Sequence, residues 1–279
     1  MRIKFFCPRW GSEQIPWPVF LQKVQEAGYA GIEWFPFGED CDHEEVIAQL
    51  KEKGLQWCIV TAIIDIPSSF EGYMSAFHQQ LEQLASMGKA DWPPRFISTQ
   101  TGREYFSEDQ VAACLAICEQ VSRQSGMPIY QETHRNKWSY AAHVVKPILE
   151  KYPDTLLTFD VSHWFCVSES YLEDQQPAVE KALMHTRHIH ARIGHTEGPQ
   201  VYEPGSPEYA VALNAHLAIW DRYVQLRKEA GATNCTITPE FGPPPYLVFA
   251  NRSGNPQQEQ WRLNLWMKDL LQQRYAAHH

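Results

Sequence analysis

The chain has no run of 18 apolar residues, which excludes a helix that crosses a membrane. It also lacks any cluster of lysine and arginine. Its 24 basic residues are scattered among 33 acidic ones, and a net charge of −9 offers no surface to follow a phosphate backbone, so no nucleic-acid partner is expected. The seven cysteines include no Cys-x-x-Cys pair, and their odd number does not suit a disulfide framework. Cys114 and Cys118 share a helix face, as buried packing residues do, and the expectation is a reduced, cytoplasmic protein. No Gly-x-Gly-x-x-Gly turn follows the first strand-like run, which removes the dinucleotide-binding fingerprint. Linkers and low-complexity tracts are missing too, so residues 1–279 read as one domain. The apolar part of residues 1–8 is too short for a signal peptide and reads as a strand; the tail 276–279 is given no role.

What remains is ordinary globular material, 44% hydrophobic and 20% charged, in 279 residues, the size of one (β/α)₈ barrel. Strand-like runs fall at 3–7, 31–35, 56–61, 95–99, 129–133, 156–161, 187–193 and 235–240. Helical patterns lie between them. Phe70, Tyr73, Phe77, Leu81 and Leu84 recur at three-to-four spacing, as do Val111, Cys114, Leu115, Cys118 and Val121. Asp42 with Glu45, and Ser107 with Gln110, fit capping boxes, while Gly28, Gly54, Gly88, Gly126 and Gly231 stand where helices end. A last helix is expected over 257–275. Strands alternating with helices pair in parallel through right-handed crossovers, and eight such units close a TIM barrel. An open doubly wound sheet is the alternative. The long loops 194–207 and 242–256 follow strands, where a TIM barrel carries its catalytic face.

Strand alternation sorts the site residues. On the last four strands one face shows Tyr130, Glu132 and His134; Thr158, Asp160 and Ser162; His188, His190 and Arg192; Thr236, Thr238 and Glu240. The opposite face is apolar, Gln131 excepted, and must meet the helices, so the polar set points into the lumen. A lone inward Asp or His is usually a hydrogen-bonded core residue. Four acids and imidazoles from adjacent strands would repel and desolvate badly without a cation. Glu132, Asp160, His190 and Glu240 are therefore expected to bind a divalent metal, Mn²⁺ or Co²⁺ foremost, with Mg²⁺ or Zn²⁺ also suiting the donors.

The runs Ala27-Gly28-Tyr29-Ala30-Gly31-Ile32-Glu33-Trp34, Glu132-Thr133-His134, Asp160-Val161-Ser162-His163, His188-Ile189-His190 and Pro239-Glu240 together resemble the xylose isomerase-like TIM barrels. That superfamily includes ketose 3-epimerases, hydroxypyruvate isomerases, inosose isomerases and dehydratases, and endonuclease IV. The resemblance spans nearly the whole chain. It implies that Glu132 and Glu240 exchange protons with the substrate as well as binding metal, through an enediolate, and that His163 contacts a substrate oxygen. A buried donor to a metal ligand is the other reading of His163.

The expected activity is that of an isomerase or epimerase of a ketose, keto-acid or related polyol. The alternative is a metal-dependent dehydratase, a lyase, of a keto-cyclitol or similar β-hydroxy ketone, with His134 or His163 as the acid. A catalytically silent sugar-binding barrel is a third class, disfavoured by the full ligand set. His134, Arg135 and Arg192 are candidates to bind substrate oxygens. Trp10, Trp34, Phe37, Trp164 and Tyr246 fall at or beyond strand ends, either to pack on a sugar ring or as core of the barrel mouth. His188 reads as a residue behind His190. The loop 192–201 departs from the ketose 3-epimerase spacing, and the third and fourth strands offer Thr61-Ala62-Ile63 and Ser98-Thr99-Gln100 where endonuclease IV needs histidines. A homo-oligomer remains open.

Overall fold

A computed structural model describes residues 1–248 and 254–276. Eight strands form a closed barrel in chain order, each parallel to the next, with β8 returning to β1. They are β1 (Arg2–Pro8), β2 (Gly31–Trp34), β3 (Gln56–Ala62), β4 (Ile97–Gln100), β5 (Ile129–Glu132), β6 (Leu156–Phe159), β7 (Thr186–Ala191) and β8 (Asn234–Pro239). Around them run α1 (Trp17–Glu26), α2 (His43–Glu52), α3 (Phe70–Ser86), α4 (Glu108–Ser125), α5 (Ala142–Lys151), α6 (Val161–Ser168), α7 (Gln176–His185), α8 (Ala210–Glu229) and α9 (Pro256–Arg274). The closed parallel sheet is the (β/α)₈ TIM barrel expected from the alternation.

Helix placement follows the caps. Ser107 and Gln110 form the reciprocal box that starts α4, which ends where Gly126 turns left-handed at φ 77°. Asp42 starts α2 by accepting the backbone N–H groups of Glu44 and Glu45. The buried stripe of α4 is Val111, Cys114, Leu115, Cys118 and Val121, and that of α3 is Tyr73, Phe77, Leu81 and Leu84. Each such side chain contributes roughly 1.5–3 kcal/mol when fully buried. One large core lies between sheet and helices. A second, small one fills the floor of the lumen with Phe6, Cys58 and Phe96, against which Tyr130 packs.

Above that floor the lumen turns polar. Register aligns Thr158, His188 and Thr236 across β6, β7 and β8, and places His190 beside Thr238 one layer higher. The Ser98 hydroxyl donates to Thr158 Oγ1 across the barrel at 2.8 Å. β6 is shorter than the run 156–161 predicts. Asp160 leaves the strand and becomes the cap of α6, its side chain accepting the Ser162 N–H at 2.9 Å.

The long loops after β7 and β8 are tied by neutral amides. Gln200 and Gly242 exchange two hydrogen bonds, of 2.7 and 3.2 Å. From α9, Asn264 accepts the Phe241 N–H at 2.7 Å and donates to its carbonyl at 3.0 Å, while Gln260 donates to the carbonyls of Phe241 and Trp10. Residues 249–253, within the expected loop 242–256, and the tail residues 277–279 lie outside the described residues. No described helix is long and apolar enough to cross a membrane.

His216 on α8 holds the other side of the loop after β7. It donates from Nδ1 to Ala212 O at 2.8 Å and accepts the Gly194 N–H at Nε2. Burial pushes its pKa down to about 4. A histidine of lowered native pKa binds fewer protons folded than unfolded, so its stabilisation is complete above about pH 6.5 and shrinks as pH falls toward 4. Denaturant melts across that window should show a decline to which His216 contributes on the order of 3 kcal/mol. His216→Gln, less stable at neutral pH, should lose that share of the slope; an unchanged slope refutes the assignment.

Candidate active site

A cavity of about 270 Å³ opens at the C-terminal end of the barrel. Its inner wall carries Glu33, Gln100, Glu132, His134, His163, Arg192, Glu240 and Tyr246, and its outer wall includes Arg9, Trp10, Phe35 and Glu39. One ligand atom each from Glu132, His190 and Glu240 lie within 4.8 Å of one another, all three residues buried. His190 Nδ1 is 3.3 Å from Glu240 Oε2 and 3.7 Å from Glu132 Oε1, yet makes no hydrogen bond. Glu132 Oε2 is likewise buried without a partner, while Gln100 donates to Oε1 at 3.0 Å.

These unpaired atoms test the expected metal. A buried carboxylate oxygen and a buried imidazole nitrogen are costly to leave unsatisfied. The two sit beside a second carboxylate and face one point, as ligands of a shared cation do. Burial raises the Glu132 pKa to about 7, against the pull of His190 and with a further push from Glu240 and Glu33. Burial opposes charge on His190, but Glu240, Glu33 and Glu132 outweigh it and hold the ring as an imidazolium well above its usual range. A divalent ion would take over the neutralising work of that proton. The donor set fits.

Asp160 is engaged elsewhere. Its Oδ1 accepts from both Ser162 N–H and Ser162 Oγ–H, and Oδ2 accepts from Arg192 Nη2 at 2.5 Å. The carboxylate expected to complete the ligand set is thus satisfied as the counterion of Arg192 and the cap of α6. Among the described residues it belongs to no group of potential ligands that converge.

A second group, Glu132 with His134 and His163, also converges. Here the surroundings oppose a cation. Arg192 Nη2 lies 3.0 Å from His163 Nε2 and Arg135 Nη1 lies 3.2 Å from Nδ1, so a guanidinium meets each ring nitrogen. Burial, then His134, Arg192 and Arg135, push the His163 pKa well below its usual value. Burial with Arg192 and Arg135 takes His134 down to about 3. Both rings are neutral and lie tilted against each other at 50°, with centroids 4.0 Å apart. A neutral imidazole accepts at one nitrogen only, so one of the two guanidiniums at His163 has a donor to spare for another oxygen.

The aromatic candidates divide. Trp10 and Tyr246 line the cavity as an edge-to-face pair at 5.5 Å, with Tyr246 also under the guanidiniums of Arg192 and Arg135. Trp34 and Trp164, expected to meet substrate, are core residues instead. Glu33 takes the inward position on β2, so Trp34 points outward and packs against Trp17, Trp57 and His43. Trp164 lies within α6, fully buried, its indole N–H donating to Ser139 O and its ring against Phe159. Phe37 sits on the rim, 39% exposed. Sequence reasoning did not single out Glu33, Gln100 or Arg9. For Glu33 the signal was present, a lone acid between two apolar residues of a strand.

The sequence matches no family model and no curated protein. Solved structures do resemble the fold. The IOLI protein with a bound zinc atom superposes with a TM-score of 0.66 at 12% identity, over 98% of this chain and 99% of that one. Apo 3-keto-D-glucoside 4-epimerase YcjR of E. coli gives 0.64 at 16%, over 96% and 100%. The probable 3-DHS dehydratase AsbF of Bacillus anthracis gives 0.61 at 20%, over 97% and 99%. The likeness is one of fold, the (β/α)₈ barrel that these structures share with this chain. These structures are relatives in architecture that differ in reaction.

Gly242 controls the outer wall. A Cβ there would stand 2.3 Å from Cη2 of Trp10. Gly242→Ala should therefore swing the indole off Tyr246 and reshape the cavity while leaving Glu132, His190 and Glu240 in place. The expected result in a crystal structure of the variant is a displaced Trp10, with Glu132, His190 and Glu240 unmoved. An indole in its original position would refute the packing argument.

Proposed function

We propose that the protein is a divalent-metal-dependent isomerase or epimerase of a ketose, keto-acid or related polyol. The observation that carries this reading is the convergence of Glu132, His190 and Glu240, with Glu132 Oε2 and His190 Nδ1 buried and unpaired. Those three residues would hold the ion. Asp160 joins them only if Arg192 releases its Oδ2. A bound ion would polarise a substrate carbonyl and stabilise the negative charge left when the neighbouring C–H loses its proton.

The chain's own groups do the rest. Glu132, buried in the cavity wall with one oxygen unpaired, is placed to exchange a proton with a bound ligand. Glu240 approaches the same space from β8, so one carboxylate can remove a proton and the other return one. Arg192 has the donors, and Trp10 and Tyr246 the faces, to orient a polyhydroxy ligand. The cavity wall includes five glutamates, Glu13, Glu33, Glu39, Glu132 and Glu240, against the arginines Arg9 and Arg192. Arg9 is already paired with Glu39 at 2.8 Å.

Dehydration of a β-hydroxy ketone needs, in addition, an acid for the leaving hydroxyl. His134 and His163 stand nearest, but both are held neutral near pH 7, which weighs against the lyase. Incubating ketoses, inososes and keto-acids in D₂O separates the readings. Deuterium uptake without an enone band supports isomerisation or epimerisation, and an enone absorbance supports dehydration.

Purified protein should carry about one divalent ion per chain, and a chelator should abolish activity until Mn²⁺ or Co²⁺ is restored. Glu132→Gln and Glu240→Gln keep an oxygen for the ion but cannot take a proton. Each should lose about 10²–10⁴-fold in turnover even at saturating metal. Full rescue of either variant by excess Mn²⁺ would confine that residue to metal binding.

A further inference from the structure

Glu33 stands behind the candidate metal centre. It projects from β2 across the lumen toward β7, almost wholly buried, with its Oε2 3.0 Å from His190 Nε2, 3.2 Å from His188 Nε2 and 3.4 Å from Thr238 Oγ1. These three donors, with the Cys58 thiol at 3.8 Å as a fourth, meet one carboxylate oxygen at the back of the candidate metal centre. We propose that Glu33 is the positioning residue of that centre, holding the Nε2–H of His190 so that Nδ1 presents its lone pair between Glu132 and Glu240.

The inference rests on the metal reading above and follows from what each group can donate. A carboxylate only accepts hydrogen bonds, so the His190 nitrogen facing it carries the hydrogen. Once neutral, the ring has one N–H, which leaves Nδ1 as the electron-pair donor. Nδ1 is the nitrogen found unpaired, 3.3 Å from Glu240 Oε2. Glu33 is itself held in place. His188 Nε2 contacts it from the layer below, and His188 Nδ1 is anchored at 2.7 Å on Thr236 Oγ1. The ring of His188 is wedged against Phe6 and Phe96 on the lumen floor. The chain of contacts Thr236–His188–Glu33–His190 thus runs from the barrel floor to the metal centre. Hydrogen-bonded carboxylates behind metal-binding histidines raise the ligand's basicity and fix its orientation.

Glu33, His188 and His190 also converge closely enough to bind an ion themselves. Their facing atoms are already hydrogen-bonded to one another, whereas the unpaired atoms lie on the far side of the His190 ring.

Titration of the metal-free protein with Co²⁺, followed by its visible absorption, tests the proposal without any substrate. Glu33→Ala should weaken Co²⁺ binding about 10–100-fold and alter the band, while the variant melts cooperatively. Glu33→Gln, which keeps an oxygen to accept the His190 N–H, should fall between the two, and it carries the test if the alanine variant does not fold. Wild-type affinity and an unaltered spectrum in folded variants would overturn the positioning role and leave the metal reading standing. Complete loss of binding in both Glu33→Ala and His188→Gln would place the ion at Glu33, His188 and His190, overturning the assignment. A wild-type protein that takes up no Co²⁺ would overturn both readings.

Discussion

Charge balance in a buried lumen governs this barrel. Glu33, Glu132, Asp160 and Glu240 all come into a space sealed below by aromatic rings and beside by a closed sheet. Ionised carboxylates cannot be left there without compensation. Arg192 answers Asp160, and the His190 imidazolium, helped by a hydrogen bond from His188, answers Glu33. Glu132 and Glu240 share what remains of His190 and the distant edge of Arg192. The lumen is therefore short of positive charge at one point, and the candidate chemistry gathers at that point.

Parity made much of this legible in the sequence. Successive strand residues face opposite ways, so an apolar outer set fixes which residues enter the lumen. That argument found Glu132, His190 and Glu240. Applied to β2 it would have found Glu33 as well, and would have turned Trp34 outward. It fails where a strand stops. Asp160 follows the last residue of β6, and its side chain caps a helix, so the residues after it obey helical geometry. Trp164 was misplaced for that reason. The Arg192–Asp160 pair depends on the three-dimensional approach of two loops and has no signature in residue spacing.

The similar solved structures carry different reactions on one architecture, and an eight-stranded barrel leaves that freedom by design. Its outer core fixes the frame, while the loops after the strands choose the chemistry. In this chain the second arginine at His163, the Trp10–Tyr246 pair and the acidic outer wall are local choices of that kind.

The amide clamp around Phe241 and Gly242 separates mechanics from electrostatics. Gln200, Gln260 and Asn264 carry no charge, and they fix the segment that follows Glu240 through bonds that neither protons nor salt can screen away. The acids and imidazoles beside them can gain and lose charge without loosening the wall they stand on. A segment pinned by ion pairs would shift with each change of protonation; the one that follows Glu240 is held by bonds that such a change leaves alone.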